Sequence, residues 1–285
     1  MTQPGVVSPC SDAPASCQDG GVDIAGFLDA IERLAPSALA EEWDNVGLIV
    51  GRRTHIVRRV LVALDLRAAV LDEALQTAAD TVLVHHPPIF PVLSDVSDMS
   101  GASELILIAA EHRIAVVAAH TNLDSARGGL NDHMAELLGL RDTAPLVPAS
   151  ADALAGLGRV GARAPQRLVE LVRHVAAAVP GPVTWTGDAD SEIVRLACCT
   201  GSGASFIDAA RAAGADAFVT SDLKYHDADR AQELALIAAP HGQIEAMMMA
   251  RWCPQLAAAL AAEGVAVAAA ATDTDPWQPA RPAPL

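Results

Sequence analysis

Two adjacent histidines, His85 and His86, follow the apolar run Thr81-Val82-Leu83-Val84, and Pro87 and Pro88 follow them in turn. Imidazoles at a strand end suit metal binding or proton transfer. Consecutive side chains on a regular strand point to opposite faces, so the pair cannot easily share one ion, but each can serve its own. Pro87 biases His86 toward extended backbone and stiffens the exit. One buried and one exposed histidine would give the same pattern. The company they keep points to chemistry instead. His120-Thr121-Asn122-Leu123-Asp124 closes a later apolar run, and His241-Gly242-Gln243-Ile244-Glu245 another. If the last segment opens a helix, His241 and Glu245 share one face at i,i+4. His85, His86, Asp124, His241 and Glu245 then make a mixed nitrogen and oxygen set for two divalent ions, with Glu245 as bridge. Such a set leaves coordination positions for water, as catalytic sites do. It fits Zn, Fe, Mn, Co or Ni and does not choose among them.

The elements that must position these side chains follow from periodicity. Residues 1–21 read as a flexible leader, and helical spacing begins at Val22–Leu34 and stops before Pro36. The chain then alternates short β-rich runs with helical stretches, which predicts an α/β fold. With Asp80 placed on Asp216, LVALDLRAAVLDEALQTAADTVLVHH aligns with RLACCTGSGASFIDAARAAGADAFVTSD without a gap. The reading is two repeat halves, 22–140 and 159–273, joined by a linker at 141–158 and followed by a tail at 274–285. Alanine-rich units that merely look alike would give the same alignment. Open α/β sheets place ligands beyond the carboxyl ends of their strands, where His120, Asp222 and His226 also fall.

Composition narrows the classes. The formal net charge is −16, which argues against generic affinity for nucleic acid. Five cysteines form no CxxC pair, and neither a signal pattern nor an apolar run long enough for a bilayer is present, so a cytoplasmic protein is expected. Gly201-Ser202-Gly203 reads as either an anion cradle or a plain turn into a helix. Gly128–Asp132 is expected to cap the helix after it. His55, His112, His133 and His174 read as surface residues, and Met247, Met248 and Met249 as packing.

Taken together, WDNVGLIVG, HHPPIF, HTNLDSARGGLNDHMAELLGL, GADAFVTSDLKYHDA and HGQIE resemble, in that order, the GTP cyclohydrolase 1 type 2 family, also known as Nif-three-like dinuclear metal-centre proteins. The resemblance runs from Val22 to Trp277. It implies two intertwined α/β repeats with mixed sheets, no inserted middle domain, a ring-shaped homohexamer and a two-metal site on the same five residues. The chain departs from the family pattern at Ser221, at Ala238-Ala239-Pro240 and at Gly242, which touches the pocket rather than the ligands. The expected function is a metal-dependent hydrolase that opens the guanine ring of GTP or cleaves another nucleotide or phosphoester. His120 and His226 are its candidates for moving protons or orienting ligands. The alternatives are a non-enzymatic ring that binds nucleic acid or a protein partner, and a metal storage or delivery protein.

Overall fold

The computed structural model describes residues 20–90, 93–99, 101–150 and 152–277. The leader expected at 1–21 lies outside them except for Gly20 and Gly21, as do residues 278–285 of the tail. Strand β1 (Val22–Asp23) leads into α1 (Ile24–Leu34). Asp23 caps this helix by accepting from the Gly26 N–H at 2.9 Å, and Ile24, Phe27, Ala30 and Ile31 form its buried stripe. Next come β2 (Gly47–Val50), β3 (Ile56–Val57), β4 (Arg59–Ala63), α2 (Ala68–Gln76), β5 (Thr81–Val84), α3 (Gly101–Glu111) and β6 (Ala115–Ala118). Two short helices, α4 (Thr121–Ser125) and α5 (Leu130–Leu137), precede β7 (Arg141–Pro148) and β8 (Gly156–Arg167). The second half runs α6 (Leu168–Ala178), β9 (Thr184–Trp185), β10 (Glu192–Ser202), α7 (Ile207–Ala212), β11 (Ala217–Ser221), α8 (Tyr225–Arg230) and β12 (Ala235–Ala238). Helix α9 (His241–Ala259) and β13 (Ala266–Ala269) close the chain.

These strands make a five-stranded sheet, ordered β13-β4-β5-β6-β2, and a six-stranded sheet, ordered β7-β8-β10-β11-β12-β9. Each sheet has a parallel centre, β4–β5–β6 in one and β10–β11–β12 in the other. Strands β5 and β6 are buried throughout, which is why they read as unbroken apolar runs. The repeat extends to single hydrogen bonds. The Asp80 N–H donates to the Arg59 carbonyl at 3.1 Å, and the Asp216 N–H to the Arg195 carbonyl at 2.8 Å. Each aspartate carboxylate also accepts from a preceding strand, from the Arg58 N–H at 2.9 Å and the Val194 N–H at 2.8 Å.

The halves are intertwined. Helix α9 packs on α5, β4, β10 and β13, so it touches both sheets. Met248, Met249, Trp252 and Leu256 bury its inner face, as expected for the methionines. Strand β13, last in sequence, pairs with β4 at the edge of the first sheet.

Strands β7 and β8 take up most of 141–158, the stretch expected as a linker. The two pair antiparallel, and β8 in turn pairs antiparallel with β10. Strand β7 contains Pro145 and Pro148. They sit on an edge strand, where a missing N–H costs no interior ladder bond. At the start of β8, Arg159 is buried. It donates to the carbonyls of Gly156 (2.7 Å), Gly158 (2.8 Å) and Ala126 (3.0 Å) and pairs with Asp132.

Candidate metal centre

The parallel strands of both sheets deliver their carboxyl ends to one place. Strand β5 ends at Val84, and the chain bends so that the N–H groups of His85 and His86 both reach the Leu64 carbonyl, at 3.1 and 2.9 Å. The two rings therefore do not diverge as they would on a regular strand. Their centroids are 5.1 Å apart and both face Glu245. Strand β6 delivers His120, and the first turn of α4 delivers Asp124. Strand β12 runs through Pro240 into α9, whose first turn carries His241 and Glu245 on one face.

Every imidazole in the group is held by its Nδ1. His85 Nδ1 is 2.9 Å from the Ala119 carbonyl, and His86 Nδ1 is 2.9 Å from Asp65 Oδ1. His120 Nδ1 is 2.8 Å from Asp44 Oδ1, and His241 Nδ1 is 2.6 Å from Asp222 Oδ2. An acceptor at Nδ1 keeps the proton there and leaves the Nε2 lone pair free, the arrangement in which histidine binds metals. The inward atoms fall into two groups. His85 Nε2 lies 3.6 Å from Asp124 Oδ2 and 3.7 Å from Glu245 Oε1. His86 Nε2 and His241 Nε2 lie 2.9 and 2.8 Å from Glu245 Oε2. Donors bound to one ion at about 2.0–2.2 Å stand about 3–3.6 Å apart in a tetrahedral shell.

The chemistry of the donor set fits an ion. Glu245 is 3% exposed and Asp124 7%, so two carboxylates share a space nearly closed to water. His85 Nε2, His241 Nε2 and Glu245 Oε2 are buried without an aligned hydrogen-bond partner, the close approach of His241 to Glu245 included. Orphaned polar atoms of this kind cost about 1–3 kcal/mol each, and converging ones are satisfied together by a cation. Burial acts to raise the pKa of Glu245, but contacts with His241, His85 and His86 outweigh it and hold the group well below the ordinary range. Burial raises Asp124, with His85 opposing and the Glu245 charge reinforcing. Burial also disfavours the imidazolium forms of His86 and His241, yet their carboxylate partners lift them to about 10 and about 9.

His120 belongs to the same group. Its ligating nitrogen stands within 4.8 Å of those of His85 and His86, and its ring lies edge-on to His85, with centroids 5.0 Å apart. Asp44, which holds it, is stabilised as a carboxylate. Burial opposes ionisation, but hydrogen bonds from His120 and Thr121 overcome this and lower its pKa to about 2. His226 is not brought in. It is exposed on α8 with its ring against Tyr225, because the chain turns into a short helix after Asp222. Asp222 orients His241 instead.

Sequence reasoning did not find Asp44, Asp65 or Thr200. Thr200 donates to Asp124 Oδ1 at 2.8 Å, and Asn131 joins that pair by accepting the Thr200 N–H and donating to the Asp124 carbonyl. Asn131 lies in the Gly128–Asp132 segment, so that segment secures a ligand as well as starting α5. Gly201-Ser202-Gly203 ends β10 and turns toward α7. Gly201 has φ +65°, and a Cβ there would stand 2.5 Å from Glu245 Oε1. Gly201→Ala is expected to add about 1–2 kcal/mol of backbone strain and to push Glu245 off both groups. Metal content of the reconstituted variant would fall by at least one ion per chain; unchanged content would show that Glu245 has room to move. His55 and His133, expected at the surface, are partly buried, against Thr81 and Gln255 respectively.

A cavity of about 580 Å³ adjoins His241, lined by Pro182, Asp222, Pro240, Asp275 and Trp277 among others. A larger one, about 700 Å³, lies at the opposite, amino ends of the first sheet's strands beside Arg52 and Arg113, away from this cluster. Among the described residues, no helix is long and apolar enough to cross a membrane.

Comparison with known proteins gives consistent findings. The model of the Duf34/NIF3 (NGG1p interacting factor 3) family matches residues 22–276. A Streptomyces coelicolor protein named GTP cyclohydrolase 1 type 2 homolog is 35% identical over 270 residues, covering 89% of this chain and 93% of its own. A Clostridium perfringens protein of the same name is 33% identical over 212 residues, covering 74% and 81%. Among solved structures, reduced HcgD from Methanocaldococcus jannaschii has a TM-score of 0.75 at 27% identity, over 87% of this chain and 98% of that one. A Bacillus cereus protein related to NIF3 shares the fold, with a TM-score of 0.83 at 24% identity over 90% and 99%.

Proposed function

The chain belongs to the Duf34/NIF3 family, and from that premise we propose that it is a metal-dependent hydrolase working with two divalent ions per chain. The observation that carries this reading is the set of four Nδ1-anchored imidazoles around a buried carboxylate with unsatisfied inward atoms. His85, Asp124 and Glu245 Oε1 would hold one ion, and His86, His241 and Glu245 Oε2 the other. Such ions supply Lewis acidity and lower the pKa of water toward about 7 in favourable sites. His120, with its Nδ1 proton committed to Asp44, accepts a proton at Nε2. Asp65 and Asp222 fix the rings of His86 and His241. The substrate in this reading is a nucleotide. The names of the relatives point to GTP, whose guanine ring would be opened by water with release of formate, and another nucleotide or a phosphoester would use the same groups. The cavity beside His241 is of a size for such a molecule. The same reading makes the protein a homohexamer of the cytoplasm.

The test is metal content per chain, before and after reconstitution with Zn, Fe, Mn, Co or Ni, followed by assays of formate and phosphate release from nucleotides. About two ions and turnover are expected. No ion after reconstitution would sink the proposal. Two ions without turnover of any nucleotide would favour metal storage or delivery instead.

Proton linkage gives a second check. With folded pKa values of about 10 and about 9, His86 and His241 carry protons at pH 7 in the metal-free protein. Both values are raised above the unfolded value of about 6.5. Their ion pairs with Glu245 therefore stabilise the metal-free fold fully below about pH 6.5, and this contribution is lost as pH rises through 9 to 10. A metal ion must displace those protons. Calorimetry in buffers of differing ionisation enthalpy should record at least about two protons released per chain at pH 7, since His85 and Asp124 are raised as well, with affinity rising as pH rises. Metal uptake without proton release would mean that these rings are not ligands.

A further inference from the structure

The two halves of the centre are built differently. His85 is fully buried, with Asp124 and Glu245 nearly so. By contrast, the side chains of His86 and His241 are 30% and 31% exposed, and Asp222, which orients His241, is 53% exposed. The outer half also depends on a segment that no site motif includes. After β13 the chain leaves the first sheet and crosses the mouth of the centre as a strap, Ala270–Trp277. The Ala270 N–H reaches the Val62 carbonyl at 2.8 Å, prolonging the pairing with β4. Glu73 on α2 then takes three hydrogen bonds from Ala271 and Thr272, at 2.6 to 2.9 Å. Thr274 Oγ1 donates to Asp65 Oδ2 at 2.6 Å, while the other oxygen of that carboxylate holds His86 Nδ1. Beyond it, Asp275 accepts from Gln243 on the first turn of α9 at 3.0 Å. Asp275 also lies over Gly242, where a Cβ would come within 3.3 Å of its carboxylate. The strap is thus fastened on both sides of the outer half, at Asp65 and at the start of α9. It makes no described hydrogen bond to the inner ligands.

Building on the two-ion reading above, we infer that Thr274 of the strap is a positioning residue for the outer half of the centre, fixing His86 through Asp65. Without the Thr274 hydroxyl, one Asp65 oxygen loses its anchor and the carboxylate can rotate, so His86 Nε2 is no longer aimed. Losing such an outer partner typically weakens metal affinity about 10–100-fold. The inner trio, which the strap does not touch, keeps its affinity.

Two-ion protein is dialysed against graded EDTA, and metal is counted per chain for wild type, Thr274→Val and Thr274→Ser. The visible spectrum of the cobalt-loaded forms reports the ligand field. Wild type should lose its ions in two steps, passing through one per chain. In Thr274→Val the first step should move to about 10–100-fold less chelator, with the second unchanged, and Thr274→Ser should restore the wild-type curve. Melting temperatures of the three metal-free proteins should agree, which separates positioning from general stability. A single step in wild type, or a Thr274→Val curve that overlies it, would overturn the inference while leaving the two-ion centre standing. Wild type that binds no ion would instead remove the reading on which both rest.

Discussion

Glu245→Gln is expected to yield a folded protein that holds neither ion. The substitution keeps the volume of a side chain that is 3% exposed, so packing around α9 is preserved. What it removes is the one group among the described residues whose two oxygens face both sets of imidazoles, Oε1 toward His85 and Oε2 toward His86 and His241. A carboxamide has one oxygen and a hydrogen-bond donor, so it cannot bridge. It also leaves the Asp124 carboxylate as the sole charge against any cation in the inner half. Metal content should fall from about two per chain to near zero after reconstitution, with the circular dichroism spectrum unchanged. Asp124→Asn, affecting the inner half alone, should retain about one. If Glu245→Gln still holds two ions, Glu245 does not bridge them.

Arg159→Leu should be the most damaging change outside the centre. Arg159 is 2% exposed, and its guanidinium pairs with Asp132 and covers three carbonyls, two at the start of β8 and one at the end of α4. Removing one partner of a buried ion pair typically costs about 3–5 kcal/mol, because the charge left behind is unpaired. Asp132 also accepts the Gly128 N–H, and Ala126 begins the turn between α4 and α5, so the damage extends toward the backbone that carries Asp124. Denaturant unfolding of the metal-free protein measures the loss. A decrease below about 1 kcal/mol would mean that water replaces the guanidinium without cost.

The parts of this molecule that were legible in the sequence are those with local signatures. Fully buried strands such as Thr81–Val84 announce themselves as apolar runs, and imidazoles and carboxylates placed directly at strand ends or as a helical i,i+4 pair can be read from spacing. The groups that hold those side chains have no such signature. Asp65 meets His86 across 21 residues, and Asp44 meets His120 across 76, through contacts that exist only once the sheets are assembled. His226 is the converse case. It follows the end of β11 closely in sequence, yet it sits exposed at the second position of α8, against Tyr225. The strand at 141–148 was hidden because an edge position tolerates the two prolines that would exclude an interior strand.

The position of β13 has a consequence for how the protein is made. The first sheet needs this strand beside β4, yet about 200 residues separate them, some 10–40 s of synthesis at about 5–20 residues per second. Throughout that interval β4 leaves the ribosome with an open edge, exposed to pairing with other nascent chains. His241 and Glu245 emerge late as well, so His85, His86 and Asp124 wait in an incomplete fold with nothing to close around. Cutting the gene between the repeats would therefore not give two autonomous halves, since the second fragment carries a strand of the first. In the two-ion reading, metal uptake waits for α9, and β13, translated after every other described strand, seals the sheet translated first.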